Sequence, residues 1–578
     1  MELLTQLLSG DYTAFVRLFT SLTRYLFPIL ALLILVRCGR SLLTYRKEPE
    51  IWAYLLHDVE RLPVQHWETT IGAAAGCDIR LENAEKIHGV LTRYDDGSWT
   101  IAPAGSAQIL LNDVPVDVME ELHFGDLLSF GGSQLIFEDL SAAEQATLRA
   151  GRTRAGRDVS PGLTLVLVTV FQMFTALQLI VSGCEAAAIT VSFAVLCGMM
   201  WGLFALMKLL RRHAFEVETI AFFLSTLGLA VIASDDSTEL TKQLIAIAMG
   251  LAAFLCIGWS LRDMARARTI RYLMAAAGVG LLLVNLVFGT EVYGAKNWIF
   301  IGPFSFQPSE LVKLCFVFAG ASSMDRLVSR RNLWLFIAYT GVCCGCLALM
   351  NDFGTAMIFF AAFVVIALMR SGSFATIALI CAGTGLAGGL AVSFRPYAIR
   401  RFASWRHIWE NALDGGYQQT RSLMCLASGG LFGLGVGNGW LKYVAASDTD
   451  LVFAFVAEEW GLLVAILMVL FVVLLAAFAV RAASMARSSF YAISACAAMS
   501  MLLIGAIFNV FGTVDFLPLT GVTFPFVSNG GSSMISAWGL LAFVKGADTR
   551  RGASFAIREP SRRRLMRQIR QEQRGETA

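Results

Sequence analysis

The chain has 578 residues, of which 56% are apolar and 15% charged, against roughly a quarter charged in soluble domains. An ordinary soluble enzyme is excluded. The 46 Lys and Arg nearly balance 43 Asp and Glu, and the net charge of +3 is too small to argue for a nucleic-acid partner.

A bilayer core needs about 20 mostly apolar residues per helix. The first candidate, near 26–36, contains Pro28, follows Arg17 and Arg24, and is followed at once by Arg37, Arg40, Arg46 and Lys47. No small-residue cleavage site follows it, so it reads as an anchor with its C-terminal end in the cytoplasm and the N-terminus outside. Of the 43 acids, 19 lie between Glu48 and Asp158, which marks that stretch as the soluble part. Within 62–139 the apolar residues alternate in short runs separated by Gly, Asp and Asn turns, the pattern of a small β-sandwich.

Twelve further spans follow at 163–182, 186–210, 219–234, 242–260, 271–289, 309–323, 333–349, 355–370, 374–394, 451–480, 489–511 and 531–545. The expected fold is therefore a polytopic α-helical membrane protein of about 13 transmembrane helices with a cytoplasmic all-β insert. Links carrying Lys208, Arg211 and Arg212, or Arg262, Arg266 and Arg268, or Arg326, Arg330 and Arg331, or Arg481 and Arg487, alternate with acidic or nearly uncharged ones. The positive-inside rule puts the basic set in the cytoplasm. The segments 293–308, 351–355, 395–450 and 515–530 then lie outside. The long 395–450 link breaks the charge rule with Arg395, Arg400, Arg401, Arg406 and Arg421, so it reads as having another job. Nine Arg between Arg550 and Arg574 read as a cytoplasmic tail facing anionic lipid. The 12 Cys read as membrane-packing residues, and six scattered His offer no zinc site of the usual kind.

The insert carries Thr70-Ile71-Gly72, Asp78-Ile79-Arg80-Leu81, His88 and Leu122-His123-Phe124-Gly125-Asp126, followed by Leu135-Ile136-Phe137. Over these residues it resembles a forkhead-associated (FHA) domain, a β-sandwich whose loops read phosphothreonine. Gly72, His88, Gly125 and Asp126 are the positions that carry the likeness, and His88 is usually a fold-stabilising residue there. The family's Arg after Ile-Gly is Ala73 here, its Ser-Arg is Glu85-Lys86, and its Asn-Gly-Thr turn is Ala104-Gly105-Ser106. Phosphate recognition needs charge-assisted donors at fixed positions, and Glu85 repels the group. A phosphate-independent module docking a cytoplasmic protein is the expectation.

Polar residues at the ends of membrane helices mark functional positions, and four clusters stand at the outer ends. The first joins Gly294-Ala295-Lys296-Asn297-Trp298 to Gln307-Pro308-Ser309-Glu310, with Lys313 at i+3 from Glu310. The second is Asn351-Asp352-Phe353-Gly354-Thr355. The third is Asp448-Thr449-Asp450 with Ala457-Glu458-Glu459-Trp460-Gly461. The fourth, Ser528-Asn529-Gly530-Gly531-Ser532-Ser533, opens a helix with backbone N–H groups suited to an anion such as phosphate.

With Gly416-Tyr417-Gln418 and Ser428-Gly429-Gly430-Leu431-Phe432-Gly433 between them, these motifs stand in the order shown by the SEDS family (shape, elongation, division and sporulation) of the RodA/FtsW type. The resemblance divides the chain into an anchor (1–47), the FHA-like sandwich (48–145), a linker with two extra helices (146–216), a ten-helix SEDS core (217–545) and a basic tail (546–578). It implies a peptidoglycan glycosyltransferase that polymerises lipid II on the outer face of the cytoplasmic membrane, for elongation, division or sporulation, beside a class B penicillin-binding protein. The family's essential aspartate corresponds to Asp450, expected as general base on the acceptor 4-hydroxyl or as a holder of a divalent Mg or Mn ion. Arg401, Arg400 and Lys313 would supply positive charge for the leaving pyrophosphate. Glu310, Asp352, Gln418, Ser528, Gly530, Gly531 and Ser532 are expected at the substrate, with Trp298, Gln307, Pro308, Ser309 and Glu459 in support.

Asn297, Arg421, Ala446 and Asn529 depart from the family pattern, and Asp448 is placed to replace the carboxylate missing at Ala446. Two other readings stand beside the enzyme. One is a lipid II flippase, with Glu458 and Glu459 inside a span. The other is a catalytically idle scaffold recruiting partners through the sandwich.

Overall fold

The computed structural model describes residues 12–43, 50–94, 97–104, 107–151, 159–262, 264–292, 294–302, 304–323, 330–371, 396–554 and 556, with isolated positions between 378 and 389. Most of the expected span 374–394, together with Gly105-Ser106 and the tail beyond 556, lies outside the described residues.

Helix α1 (Tyr12–Leu43) leads into the insert. Eleven strands follow: β1 (Ala53–His57), β2 (Glu60–Val64), β3 (Glu68–Gly72), β4 (Ile79–Arg80), β5 (Gly89–Arg93), β6 (Trp99–Pro103), β7 (Ile109–Leu111), β8 (Val114–Pro115), β9 (Glu120–Leu122), β10 (Leu127–Phe130) and β11 (Ser133–Glu138). They form a six-stranded sheet in the order β2-β1-β11-β10-β7-β8 and a five-stranded sheet in the order β4-β3-β5-β6-β9. The alternation in the sequence is the alternation in space. On β11, Leu135 and Phe137 are buried while Gln134 and Ile136 face out. Leu55, Ile71, Leu91, Trp99, Ile101, Leu128 and Phe130 complete the core, each such side chain contributing about 1.5–3 kcal/mol on burial. The expected FHA-like sandwich is present, and Trp67 packs against the helical body.

The short helix α2 (Ala142–Gly151) leaves the sandwich, and α3 (Pro161–Val181) and α4 (Ala186–Leu209) return the chain to the helical body. There follow α5 (Glu216–Asp235), α6 (Leu240–Ser260), α7 (Met264–Phe288), α8 (Pro308–Ser323), α9 (Arg330–Leu349), α10 (Phe353–Ser371), α11 (Pro396–Ser404), α12 (Tyr417–Gly429), α13 (Val452–Glu459), α14 (Leu462–Ser484), α15 (Ser489–Thr513) and α16 (Gly531–Gly546). Among the described residues eight helices are long and apolar enough to cross a membrane, and two shorter apolar ones, Trp334–Leu349 and Phe353–Met369, accompany them. The protein is a multi-pass membrane protein. Helix α5 is buried along its length, α16 lies along α6, and α15 packs against α14, α10 and α16.

Three sequence expectations change. The anchor is a 32-residue helix, longer than the 26–36 window. It is built into the body, packing against α3, α14 and α5. The expected span 451–480 is two helices, because Gly461 takes φ +93° and a Cβ there would stand 2.3 Å from the Leu431 carbonyl. Apolar content runs unbroken across that break, so hydropathy does not reveal it. The outer link 293–308 contains a three-stranded sheet of β12 (Thr290–Val292), β13 (Ala295–Ile301) and β14 (Phe304–Phe306).

Arg550 also leaves the basic tail. It is buried, its Nη2 lies 2.7 Å from Asp548 Oδ2 and 3.6 Å from Glu216 Oε2, and its Nη1 donates to the Ser41 carbonyl at 3.0 Å. Ser41 in turn hydrogen-bonds Glu216. Lys545 pairs with Glu218 at 3.0 Å with both side chains buried.

Candidate active site

Asp450 ends a tight turn. Its N–H donates to Ala446 O at 2.9 Å, with Ala446 at φ +59°. Helix α13 begins two residues later, with Leu451 as N-cap and no side chain capping it, so the Asp450 carboxylate is not spent as a helix cap. The backbone carries the structural duty: its carbonyl accepts from Asn509 Nδ2 at 3.0 Å and from Thr513 Oγ1 at 3.4 Å. Although the residue is only partly buried, desolvation by the surrounding protein pushes its carboxyl pKa up to about 6. Arg401 and the Thr449 hydroxyl pull it down, and Asp448 and Asp352 push it further up. Asp352 and Asp450 are thus close enough to act on one another.

The segment from 514 to 530 runs over this turn as a strap. At Gly521, φ is +69° and a Cβ would stand 3.3 Å from Asp450 Oδ2 and 3.9 Å from Arg401 Nη1. Arg401, on α11, donates from Nη1 to Leu519 O at 2.7 Å. A carboxylate and a guanidinium therefore flank an exposed glycine, an arrangement able to take a proton on one side and stabilise developing negative charge on the other. Arg400 lies on α11 too, with its side chain outside the described residues.

Most of the other expected substrate residues are committed to protein. Asp352 Oδ1 accepts from Thr355 N at 3.1 Å, capping α10, while Oδ2 accepts from Asn297 Nδ2 at 3.2 Å and Gln307 Nε2 at 3.3 Å. Gln307 N donates to Ser532 Oγ at 3.2 Å, which joins this cluster to the start of α16. Ser528 Oγ donates to Thr449 O at 2.6 Å and accepts from Phe524 N at 2.8 Å. Gln418 Nε2 donates to Ala445 O at 2.8 Å, tying α12 to the Asp450 turn. Lys313 is buried and bonded to Glu310 Oε1 at 2.7 Å, so its charge is already neutralised and is not available as a separate leaving-group cation. Pro308 opens α8 and Ser309 is fully buried, its Oγ without a partner among the described residues. Trp298 lies on β13, its carbonyl accepting from Thr290 Oγ1 at 3.0 Å. Gly530 is the N-cap of α16 and Gly531 its first residue, packed toward Ala246.

Glu459 is a clamp. Its oxygens accept from Gly437 N at 3.0 Å, Gly439 N at 3.2 Å and Ser234 Oγ at 2.6 Å. Glu458 takes Trp440 N and Leu441 N, each at 2.9 Å. These carboxylates hold one loop rather than line a headgroup path, which removes the feature that favoured a flippase. The same loop receives the extra helices: Ser182, at the end of α3, donates to Val436 O at 2.7 Å, and the Tyr25 ring of α1 lies 4.8 Å from that of Phe432.

In the sandwich the FHA-like residues are structural. A Cβ on Gly72 would meet Lys86 O at 2.6 Å. Glu85 N donates to His88 Nδ1 at 3.1 Å, which leaves Nε2 to donate to Gln108 O at 3.0 Å. Gly125 turns at φ +96°, and Asp126 accepts from His123 N at 2.7 Å and Asn112 Nδ2 at 2.9 Å.

No group of three or more His, Cys, Asp or Glu among the described residues is placed to hold a metal ion, and the side chain facing Asp450 across Gly521 is a guanidinium. A Mg ion needs only one or two carboxylates beside substrate phosphates, and Asp450 is the carboxylate here that would supply one. Sequence reasoning missed Asn509, Thr513 and Gly521. A polar amide inside the apolar run 489–511 was the available signal for Asn509.

The family model for the FtsW, RodA and SpoVE cell cycle proteins matches residues 207–552. The chain belongs to this family. A probable peptidoglycan glycosyltransferase FtsW from Tolumonas auensis is 35% identical over 276 residues, 46% of this chain and 71% of that protein. A peptidoglycan glycosyltransferase RodA from Mycobacterium leprae is 30% identical over 60% of this chain and 81% of its own length. A solved chain from work on a peptidoglycan synthase complex that coordinates polymerization and crosslinking superposes with a TM-score of 0.50 at 26% identity, covering 57% of this chain and 96% of that one. The SEDS resemblance read from the motifs is therefore borne out, and Asp450, Arg401 and Gly521 all lie inside the matched region.

Proposed function

We propose that this SEDS-family protein is a peptidoglycan glycosyltransferase that polymerises lipid II into β-1,4 glycan strands on the outer face of the cytoplasmic membrane. The observation that carries the reading is the Asp450 carboxyl, raised to about 6, held through its backbone and set across Gly521 from Arg401. Asp450 takes the proton of the acceptor 4-hydroxyl as that oxygen attacks the donor's anomeric carbon. The bond from that carbon to the lipid pyrophosphate breaks with inversion, and the electron pair leaves with the pyrophosphate. Arg401 stabilises the charge that develops there. A pyrophosphate leaving group needs charge stabilisation more than protonation, so one base suffices. No step is assigned to a divalent ion.

The relative from the synthase complex supports a class B penicillin-binding protein as partner, supplying cross-links. The orientation follows the charge pattern of the links, with the sandwich in the cytoplasm as a docking module for a protein ligand. Ala73 and Glu85 stand where phosphate-binding donors would be needed, which favours docking independent of phosphate.

The test is polymerisation of labelled lipid II by the purified full chain, with and without the penicillin-binding protein, comparing wild type with Asp450→Ala at equal expression. Glycan from wild type alone supports the reading. Equal output from both removes Asp450, and silence from both, with partner present, removes the glycosyltransferase.

A further inference from the structure

Asn509 sits one turn before the C-terminal end of α15 with 1% of its surface exposed, a polar amide buried in an apolar span. Its Nδ2 donates to Asp450 O at 3.0 Å and to Val522 O at 3.0 Å, with Thr449 O at 3.5 Å. Three carbonyls on one side fix which way the amide points, since the reversed orientation would set Oδ1 against all of them. One turn further, Thr513 Oγ1 donates to Asn509 O at 2.6 Å and reaches the same Asp450 carbonyl at 3.4 Å.

We propose that Asn509 is a positioning residue of the glycosyl-transfer site, its amide locking the Asp450 turn to the strap that carries Gly521. This rests on the glycosyltransferase reading above. The two acceptors belong to segments with no direct chain connection: Asp450 precedes α13, and Val522 belongs to the strap between α15 and α16. The strap sets two distances at once. Through Leu519 O it holds the Arg401 guanidinium, and through Gly521 it lies against Asp450 Oδ2. Without the Asn509 bridge, the base and the guanidinium keep their chemistry but lose their fixed separation. A misplacement of about 1 Å in such a site costs on the order of 100-fold in rate, and the loss falls on the transition state rather than on ground-state binding. Asn509 touches no reacting atom, so it acts through Asp450.

The experiment measures kcat and KM for lipid II with the purified full chain, comparing wild type, Asn509→Ala and Ser494→Ala. Ser494 lies buried on the same helix, bonded locally to Tyr491 O, and controls for loss of a buried polar group on α15. The expected result for Asn509→Ala is a kcat lower by about 10- to 100-fold, a KM within about threefold of wild type, and a melting temperature near that of Ser494→Ala. Wild-type kcat in Asn509→Ala, or a raised KM with kcat kept, overturns the proposal. If Asn509→Ala is not recovered folded, the near-isosteric Thr513→Val decides: a reduced kcat at constant KM supports the lock, and an unchanged kcat overturns it. A wild type that makes no glycan defeats the glycosyltransferase reading itself, an outcome distinct from active wild type with active Asn509→Ala.

Discussion

Replacing Asp450 by Asn should abolish polymerisation and at the same time stabilise the protein. The carboxyl is moved from an ordinary value of 3.8 to about 6, chiefly by desolvation, so the folded protein tolerates the ionised form less well than the unfolded chain does. Each pKa unit corresponds to about 1.4 kcal/mol, which sets a ceiling of about 3 kcal/mol on the cost at neutral pH. The residue is only partly buried, and water at its open face brings the expected gain for Asn to about 1–2 kcal/mol. The sign fixes the pH window. Below about pH 4 the carboxyl is protonated in both states and the variant gains nothing; the gain grows as pH rises through 4 to 6 and is complete above that. Activity runs oppositely, because the base must be ionised: wild-type kcat/KM should fall tenfold per pH unit below about 6. Denaturant unfolding of both proteins in detergent at pH 4 and pH 7.5, beside the polymerisation assay, measures all of this. An Asn variant less stable than wild type at pH 7.5 would show that the carboxylate anchors the turn, and would refute the reasoning.

Glu459→Gln should loosen the Gly437–Gly439 loop, since it turns one accepting oxygen into an amide that cannot accept from a backbone N–H, and a buried donor left unpaired costs about 1–3 kcal/mol; hydrogen exchange at residues 433–441 should rise, and unchanged protection there would refute the clamp. Lys545→Met strands Glu218 as a buried charge and should cost about 3–5 kcal/mol, while the pair Lys545→Met with Glu218→Leu should recover most of it; thermal unfolding of the two variants checks this. His88→Ala removes both imidazole hydrogen bonds and the edge contact to Phe130, and should lower sandwich stability by about 2–4 kcal/mol, read as proteolytic sensitivity of residues 53–138 in the full chain.

How much of this was legible beforehand depends on the range of the interaction. Hydropathy over about 20 residues and period-two alternation are local signals, so the spans that became α3 to α10 and α14 to α16, and the sandwich with Leu55, Phe130 and Phe137 inside, could be read in order. The ordered motifs identified the family and Asp450 within it. Local signals fail where distant segments decide the outcome. The break at Gly461 answers to the Leu431 carbonyl and to four backbone N–H groups that draw in Glu458 and Glu459. Asp352 and Ser528 looked like substrate ligands because nothing in the sequence shows their partners, whereas the fold gives each a protein partner first; for Lys313 the i+3 spacing to Glu310 was legible, and the fold adds that the pair is buried.

The sequence by itself determined a multi-pass helical protein with a β-sandwich insert, because composition and spacing suffice for each, and its ordered motifs singled out Asp450 for test. The tertiary structure decided which polar groups stay available for chemistry. Helix α15 brings Asn509 under Asp450, the strap brings Gly521 and Leu519 between Asp450 and Arg401, and burial at that meeting raises the carboxyl toward the range of a working base. Those contacts join residues 59 to 118 positions apart, and only the packing of helices against one another sets such distances.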